Sequence, residues 1–94
     1  MIMKASVLIT GAYGGMGKAT AEALALAGFR VFALDRVMGE GSEDIIPIRA
    51  DLTDEESVIA AYQRLREMTD SLFAVIHFAG FKAEGESVQK PLMY

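Results

Sequence analysis

The chemistry this chain can do is concentrated in a few residues near its start. The run Val-Leu-Ile-Thr-Gly-Ala-Tyr-Gly-Gly-Met-Gly at 7–17 packs four glycines into seven positions. Gly11, Gly15 and Gly17 read as T-G-x-x-x-G-x-G, whereas Gly11, Gly14 and Gly17 read as T-G-x-x-G-x-x-G. Both describe a turn that cradles phosphate. Gly11 permits the tight turn, and the middle glycine lets backbone N–H groups approach a pyrophosphate. Gly17 lets the following helix pack close to the strand before it. Tyr13 and Met16 lie within this turn and belong to the same candidate site.

Two carboxylates follow at intervals that fit a dinucleotide. Asp35 ends the second apolar run, where a carboxylate accepts the ribose hydroxyl protons and repels a 2′-phosphate. Arg36 pulls the other way, because a guanidinium beside the ribose tolerates that phosphate. NAD is therefore favoured over NADP. Asp51, in Ala-Asp-Leu with Leu52, either accepts a hydrogen bond from the adenine amino group or caps the turn into the next helix. His77 lies in an apolar run with no second ligand nearby, so a packed or crevice histidine is favoured over a metal or catalytic role. The six methionines form no stripe and read as packing residues.

These groups need a frame of alternating strands and helices to bring them together. Ser6 to Thr10 is an apolar, β-branched run without polar alternation, as a strand buried on both faces requires. Met16 to Ala27 is rich in Ala and Leu and predicts a helix stopped by Gly28. Val31 to Leu34 is a second strand. Ile45 to Ala50 is a third, which Pro47 places at a sheet edge or a strand start. Thr53-Asp54-Glu55-Glu56 reads as a capping box opening a helix to about residue 68, with Val58, Tyr62 and Leu65 on its apolar stripe. Leu72 to Phe78 is a fourth strand. The expected fold is a single α/β domain over 1–94, a three-layer Rossmann-like parallel sheet in the order 3-2-1-4, truncated relative to a full doubly wound sheet. The crevice then opens between strands 1 and 4.

The totals narrow the function classes. A net charge of −4 lacks the clustered Lys and Arg of a nucleic-acid surface. With no cysteine, disulfides and thiolate metal sites are excluded. No run approaches membrane-spanning length and no signal-peptide core precedes the glycines. A cytoplasmic protein with a dinucleotide ligand, no nucleic acid and no membrane is expected.

The glycine turn, Asp35 and Asp51-Leu52 together resemble the short-chain dehydrogenase/reductase superfamily. Residues 75–94, Val-Ile-His-Phe-Ala-Gly-Phe-Lys through Tyr94, resemble the segment after strand 4 in UDP-glucose (UDP-galactose) 4-epimerases of the extended branch. That likeness implies that the Phe78-Ala79-Gly80 backbone passes close to NAD, that Lys82 approaches the cofactor phosphates, and that Glu86-Ser87 begins a further helix. Gly15-Met16, Arg36 and the short loop beyond it look more like the compact, single-domain dehydrogenases. The chain thus reads as a mosaic, which a divergent member, a spliced or frameshifted gene, or a chimera would each produce.

In both branches the resemblance implies hydride transfer by a Tyr-x-x-x-Lys pair, whose lysine lowers the pKa of the tyrosine. Here Tyr13 is followed four later by Gly17 and Tyr62 by Arg66, while Tyr94 is the last residue. The pair is absent from these 94 residues, so a cofactor cradle without its catalytic residues is expected. An open, apolar strand-4 edge invites pairing with a second copy, hence a homodimer or higher assembly. A compact-branch dehydrogenase fragment and a ligand-free Rossmann scaffold remain the alternatives.

Overall fold

The apolar run at 6–10 forms β1 (Ser6–Thr10), buried at four of its five positions. The structure, a computed structural model, describes residues 4–78. After the glycine turn come α1 (Gly15–Leu26), β2 (Arg30–Asp35), β3 (Ile45–Arg49), α2 (Glu55–Met68) and β4 (Ala74–His77). The four strands form one sheet in the order β3-β2-β1-β4, and each of its three pairings is parallel. The expected order 3-2-1-4 is observed.

Alternation along the central strands explains why both faces are apolar. Val7, Ile9, Val31 and Ala33 point to one face and pack with Ala21, Leu24 and Ala25 of α1. Phe32, Leu34 and Ile48 point to the other and pack with Ala61 and Leu65 of α2. One helix covers each face, giving three layers. The two cores share a strand, because β2 contributes alternate residues to both. Pro47 lacks a donor and sits in β3, an edge strand of the described sheet, as its chemistry demands.

The stop of α1 is a complete Schellman arrangement. Gly28 adopts φ 100°, its N–H donates to the Ala25 carbonyl at 3.1 Å, and the Phe29 N–H donates to Leu24 at 3.0 Å. This turn feeds the chain directly into β2.

Two expectations for α2 are corrected. The capping residue is Asp54, whose Oδ1 accepts from the Glu56 N–H at 3.2 Å. Thr53 instead donates its hydroxyl to Asp51, so no box closes around it. The apolar stripe is also displaced. Ala61 and Leu65 are buried, while Tyr62 is 58% exposed and carries Arg66 over its ring at 6.0 Å. The small Ala61 lets the helix approach the sheet, and larger Val58 and Tyr62 are left at the flank. β4 is also shorter than the apolar run 72–78, since Leu72 and Phe73 precede the strand.

Candidate functional site

The site is built where β1 ends and α1 begins. Gly11 takes φ 68°, a left-handed conformation that a side chain rarely adopts. The turn closes through Gly14 N–H to the Gly11 carbonyl at 3.2 Å and is tied to β2 by Ala12 N–H to Leu34 at 3.2 Å. Gly17 lies against this turn: a Cβ there would stand 2.1 Å from the Gly11 oxygen. The polypeptide therefore requires glycine at 11 and 17.

Positions 14 and 15 are different. A Cβ on Gly14 would make ordinary contact at 3.6 Å, and one on Gly15 would meet nothing within 4 Å. Gly14 caps α1 with φ −75°, and no side chain caps this helix end. Its first turn carries no acidic residue either. The leading N–H groups of α1 thus meet no carboxylate in its first turn, the arrangement that favours an anion.

Beside this helix end lies a cleft of about 220 Å³ lined by Gly11, Asp35, Arg36, Asp51, Leu52 and Thr53, among others. Five residues singled out from sequence, Gly11, Asp35, Arg36, Asp51 and Leu52, meet there. The volume is below the ~300–1,000 Å³ usual for a whole drug-sized ligand, and suits one half of a dinucleotide. A roomier hollow of about 560 Å³ lies at the opposite end, between Lys4, Arg30, Met68 and Phe73. Ligand sites in parallel α/β sheets lie at the carboxyl ends of the strands, which selects the smaller cleft.

The two carboxylates are held differently. Asp35 accepts the Tyr13 N–H on Oδ2 at 2.9 Å and the Val37 N–H on Oδ1 at 3.3 Å. Asp51 Oδ1 accepts both the Thr53 hydroxyl at 2.6 Å and the Thr53 N–H at 2.9 Å. Those bonds, the hydroxyl first, hold the Asp51 carboxyl below its ordinary value, with smaller help from Arg36 and Arg49. The turn-capping role weighed for Asp51 is thus present, and it engages one oxygen of the pair.

Tyr13 points away from the cleft. Its hydroxyl donates to the Glu40 carbonyl at 2.8 Å, across the connection that follows β2. Burial, and then the nearby Asp35 charge, push its phenol above the ordinary 10.0. Sequence reasoning placed Tyr13 in the cradle but had no means of finding Glu40 as its partner, since it lies 27 residues on with no spacing rule to join them.

On the other side of β1 lies β4, none of whose residues lines this cleft. His77 pairs in register with Thr10, and their side chains meet at 3.0 Å between Thr10 Oγ1 and His77 Nδ1. His77 is exposed and Thr10 is buried. Phe78 follows, its N–H donating to the Thr10 carbonyl at 2.8 Å. Ala79, Gly80 and Lys82 lie outside the described residues. Among the described residues no cluster of His, Cys, Asp or Glu could hold a metal ion, and no helix is long and apolar enough to cross a membrane.

Sheet order, glycine turn and strand-end acid define a Rossmann-like α/β domain. The short chain dehydrogenase family model matches residues 5–91, and the chain belongs to that family. It is 36% identical over 99 residues to a UDP-glucose 4-epimerase of Oryza sativa, covering 95% of this chain and 28% of that protein. The chain therefore spans little more than a quarter of that relative's length. A short-chain dehydrogenase/reductase oxidoreductase from Brucella ovis, solved with a partially ordered NAD, is 34% identical with a TM-score of 0.64, covering 88% of this chain and 42% of that one. A short chain dehydrogenase from Leptospira borgpetersenii with bound NAD+ superposes with a TM-score of 0.75 at 24% identity, over 88% of this chain and 37% of that one. The last likeness speaks for the fold alone.

Proposed function

We propose that these residues bind NAD, as the cofactor-binding part of an extended short-chain dehydrogenase resembling a UDP-glucose 4-epimerase. The observation that carries this reading is the meeting of Gly11, Asp35, Arg36, Asp51 and Leu52 in one cleft beside the start of α1. Asp35 would accept the ribose hydroxyls, and Asp51 Oδ2 the adenine amino group. Leu52 would lie against the adenine ring. The N–H groups that open α1, over Gly14 to Gly17, would face the pyrophosphate. By the epimerase likeness, the Phe78-Ala79-Gly80 backbone would pass close to NAD and Lys82 would approach the cofactor phosphates.

A bound nicotinamide would supply hydride acceptance. The 94 residues contain no Tyr-x-x-x-Lys pair, so the proposal assigns them binding and no turnover of their own. Isothermal titration with NAD, NADP and ADP-ribose tests it. NAD binding that disappears in Asp35→Ala is the expected result. Failure of all three ligands to bind would overturn the proposal and leave a ligand-free scaffold.

A second reading, part of a compact-branch dehydrogenase, is favoured by Gly15-Met16, by Arg36 and by the short loop beyond it. Under it, either NAD or NADP would be the cofactor. Self-association through β4 belongs to the first reading. Among the described strands β4 is the last on its side of the sheet, with Val75 45% and Phe73 73% exposed. A strictly monomeric species by light scattering at high concentration would count against it. A cytoplasmic location is part of the same reading, checked by cell fractionation.

A further inference from the structure

The group least explained by a dinucleotide cradle is Tyr13. Its side chain leaves the cleft and reaches the connection between β2 and β3. There its ring occupies the space a side chain at Gly39 would need: a Cβ on Gly39 would stand 2.2 Å from the ring. Its hydroxyl donates to the Glu40 carbonyl at 2.8 Å. From the same residue, the backbone N–H donates to Asp35 Oδ2 at 2.9 Å. One residue of the glycine turn thus grips both the strand-end carboxylate and the loop that follows it.

We propose that Tyr13 is a positioning residue that clamps the 36–44 connection onto the glycine turn, fixes the Asp35 carboxylate, and so makes the site select a free ribose 2′-hydroxyl over a 2′-phosphate. The proposal rests on the dinucleotide reading above. Asp35 discriminates only while its carboxylate stays in place. Arg36 lines the cleft, and Arg49 pairs with Asp35 across the β2–β3 register, its Nε donating to the Arg36 carbonyl at 3.3 Å. Two guanidiniums near the ribose end would attract a phosphate if Asp35 swung aside. That swing requires Asp35 to release two N–H donors, one from Tyr13 and one from Val37 at 3.3 Å.

Val37 lies in the connection that Tyr13 holds, so carboxylate and loop must move together. While they stay, each Asp35 oxygen keeps lone-pair capacity for a ribose hydroxyl, and a phosphate meets a fixed like charge. The elevated phenol pKa of Tyr13, caused by burial and then by Asp35, agrees with a closely packed pair.

Titration calorimetry of the wild type, Tyr13→Phe and Tyr13→Ala with NAD and with NADP tests this. In Tyr13→Ala the NAD-over-NADP preference should shrink by about tenfold or more, because the released connection takes with it the Val37 donor, one of the two that hold Asp35. Tyr13→Phe keeps the ring on Gly39 and should retain most of the preference. An unchanged preference in a folded Tyr13→Ala overturns the proposal.

Hydrogen exchange without any dinucleotide gives a second readout, independent of ligand binding. The Val37 amide should exchange at least about tenfold faster in Tyr13→Ala, because the connection that carries it is no longer held by the ring and hydroxyl, although the backbone bond from residue 13 to Asp35 remains. An unchanged rate overturns the clamp. Absence of binding by the wild type to either dinucleotide would sink the functional reading instead, and the exchange experiment would still decide the clamp.

Discussion

Gly17 stands so close to Gly11 that a methyl group on its Cα would lie 2.1 Å from the Gly11 carbonyl oxygen and 3.0 Å from Ala12 Cα. The obstruction is backbone, so no rotamer change relieves it. Gly15, two residues earlier in the same helix, would meet nothing within 4 Å. The two glycines of one turn therefore serve different needs.

Gly17→Ala should destabilise the fold by about 1–3 kcal/mol, because overpacking outweighs the ~1 kcal/mol that alanine gains in helix propensity. Gly15→Ala should leave stability unchanged or raise it by about 0.5 kcal/mol, while weakening NAD binding where the pyrophosphate approaches. Urea unfolding paired with NAD titration separates the two effects. Equal loss of stability in both variants would contradict this division.

The Tyr13 ring and Gly39 should be energetically coupled. Gly39→Ala forces the ring out and should cost about 1–2 kcal/mol, whereas in a Tyr13→Ala background the same change should be nearly free. A double-mutant cycle by denaturant unfolding measures the difference. Additive single effects would mean that the ring does not bear on this loop.

Asp51 should report its bonds to Thr53 through pH. Its folded carboxyl lies below the ordinary 3.8, with the Thr53 hydroxyl the largest cause. The stabilisation from this group is present above the unfolded value and is lost as pH falls through the lowered folded value. Thr53→Val removes the hydroxyl and leaves the N–H, so the Asp51 midpoint should rise toward 3.8. A carboxyl NMR titration reads this directly, and an unmoved midpoint would contradict it.

Strand order and the cleft were largely legible because buried parallel strands write unbroken apolar runs. Ser6–Thr10 and Arg30–Asp35 carry such runs, and the glycines between them admit few alternatives. The α2 stripe was misread because Val58, Tyr62 and Leu65 and the true face, Ala61, Leu65 and Met68, obey the same spacing. Periodicity gives a helix but not which of two adjacent stripes is buried, and here the smaller Ala61 won through close approach.

The cap was misplaced by one residue because Thr53 and Asp54 are both good cap formers, and Asp51 claimed the threonine first. The Tyr13 clamp was invisible because it depends on a long-range meeting of two loops. Local sequence patterns carry no trace of such a meeting.

The measurement closest to the central claim is a backbone NMR titration of this chain with NAD. The amides of Gly15, Met16 and Gly17 should shift together with those of Asp35 and Asp51, saturating in concert, while the hollow around Lys4 and Phe73 stays unmoved. Shifts confined to that opposite hollow, or none at saturating NAD, would contradict the cradle at its root.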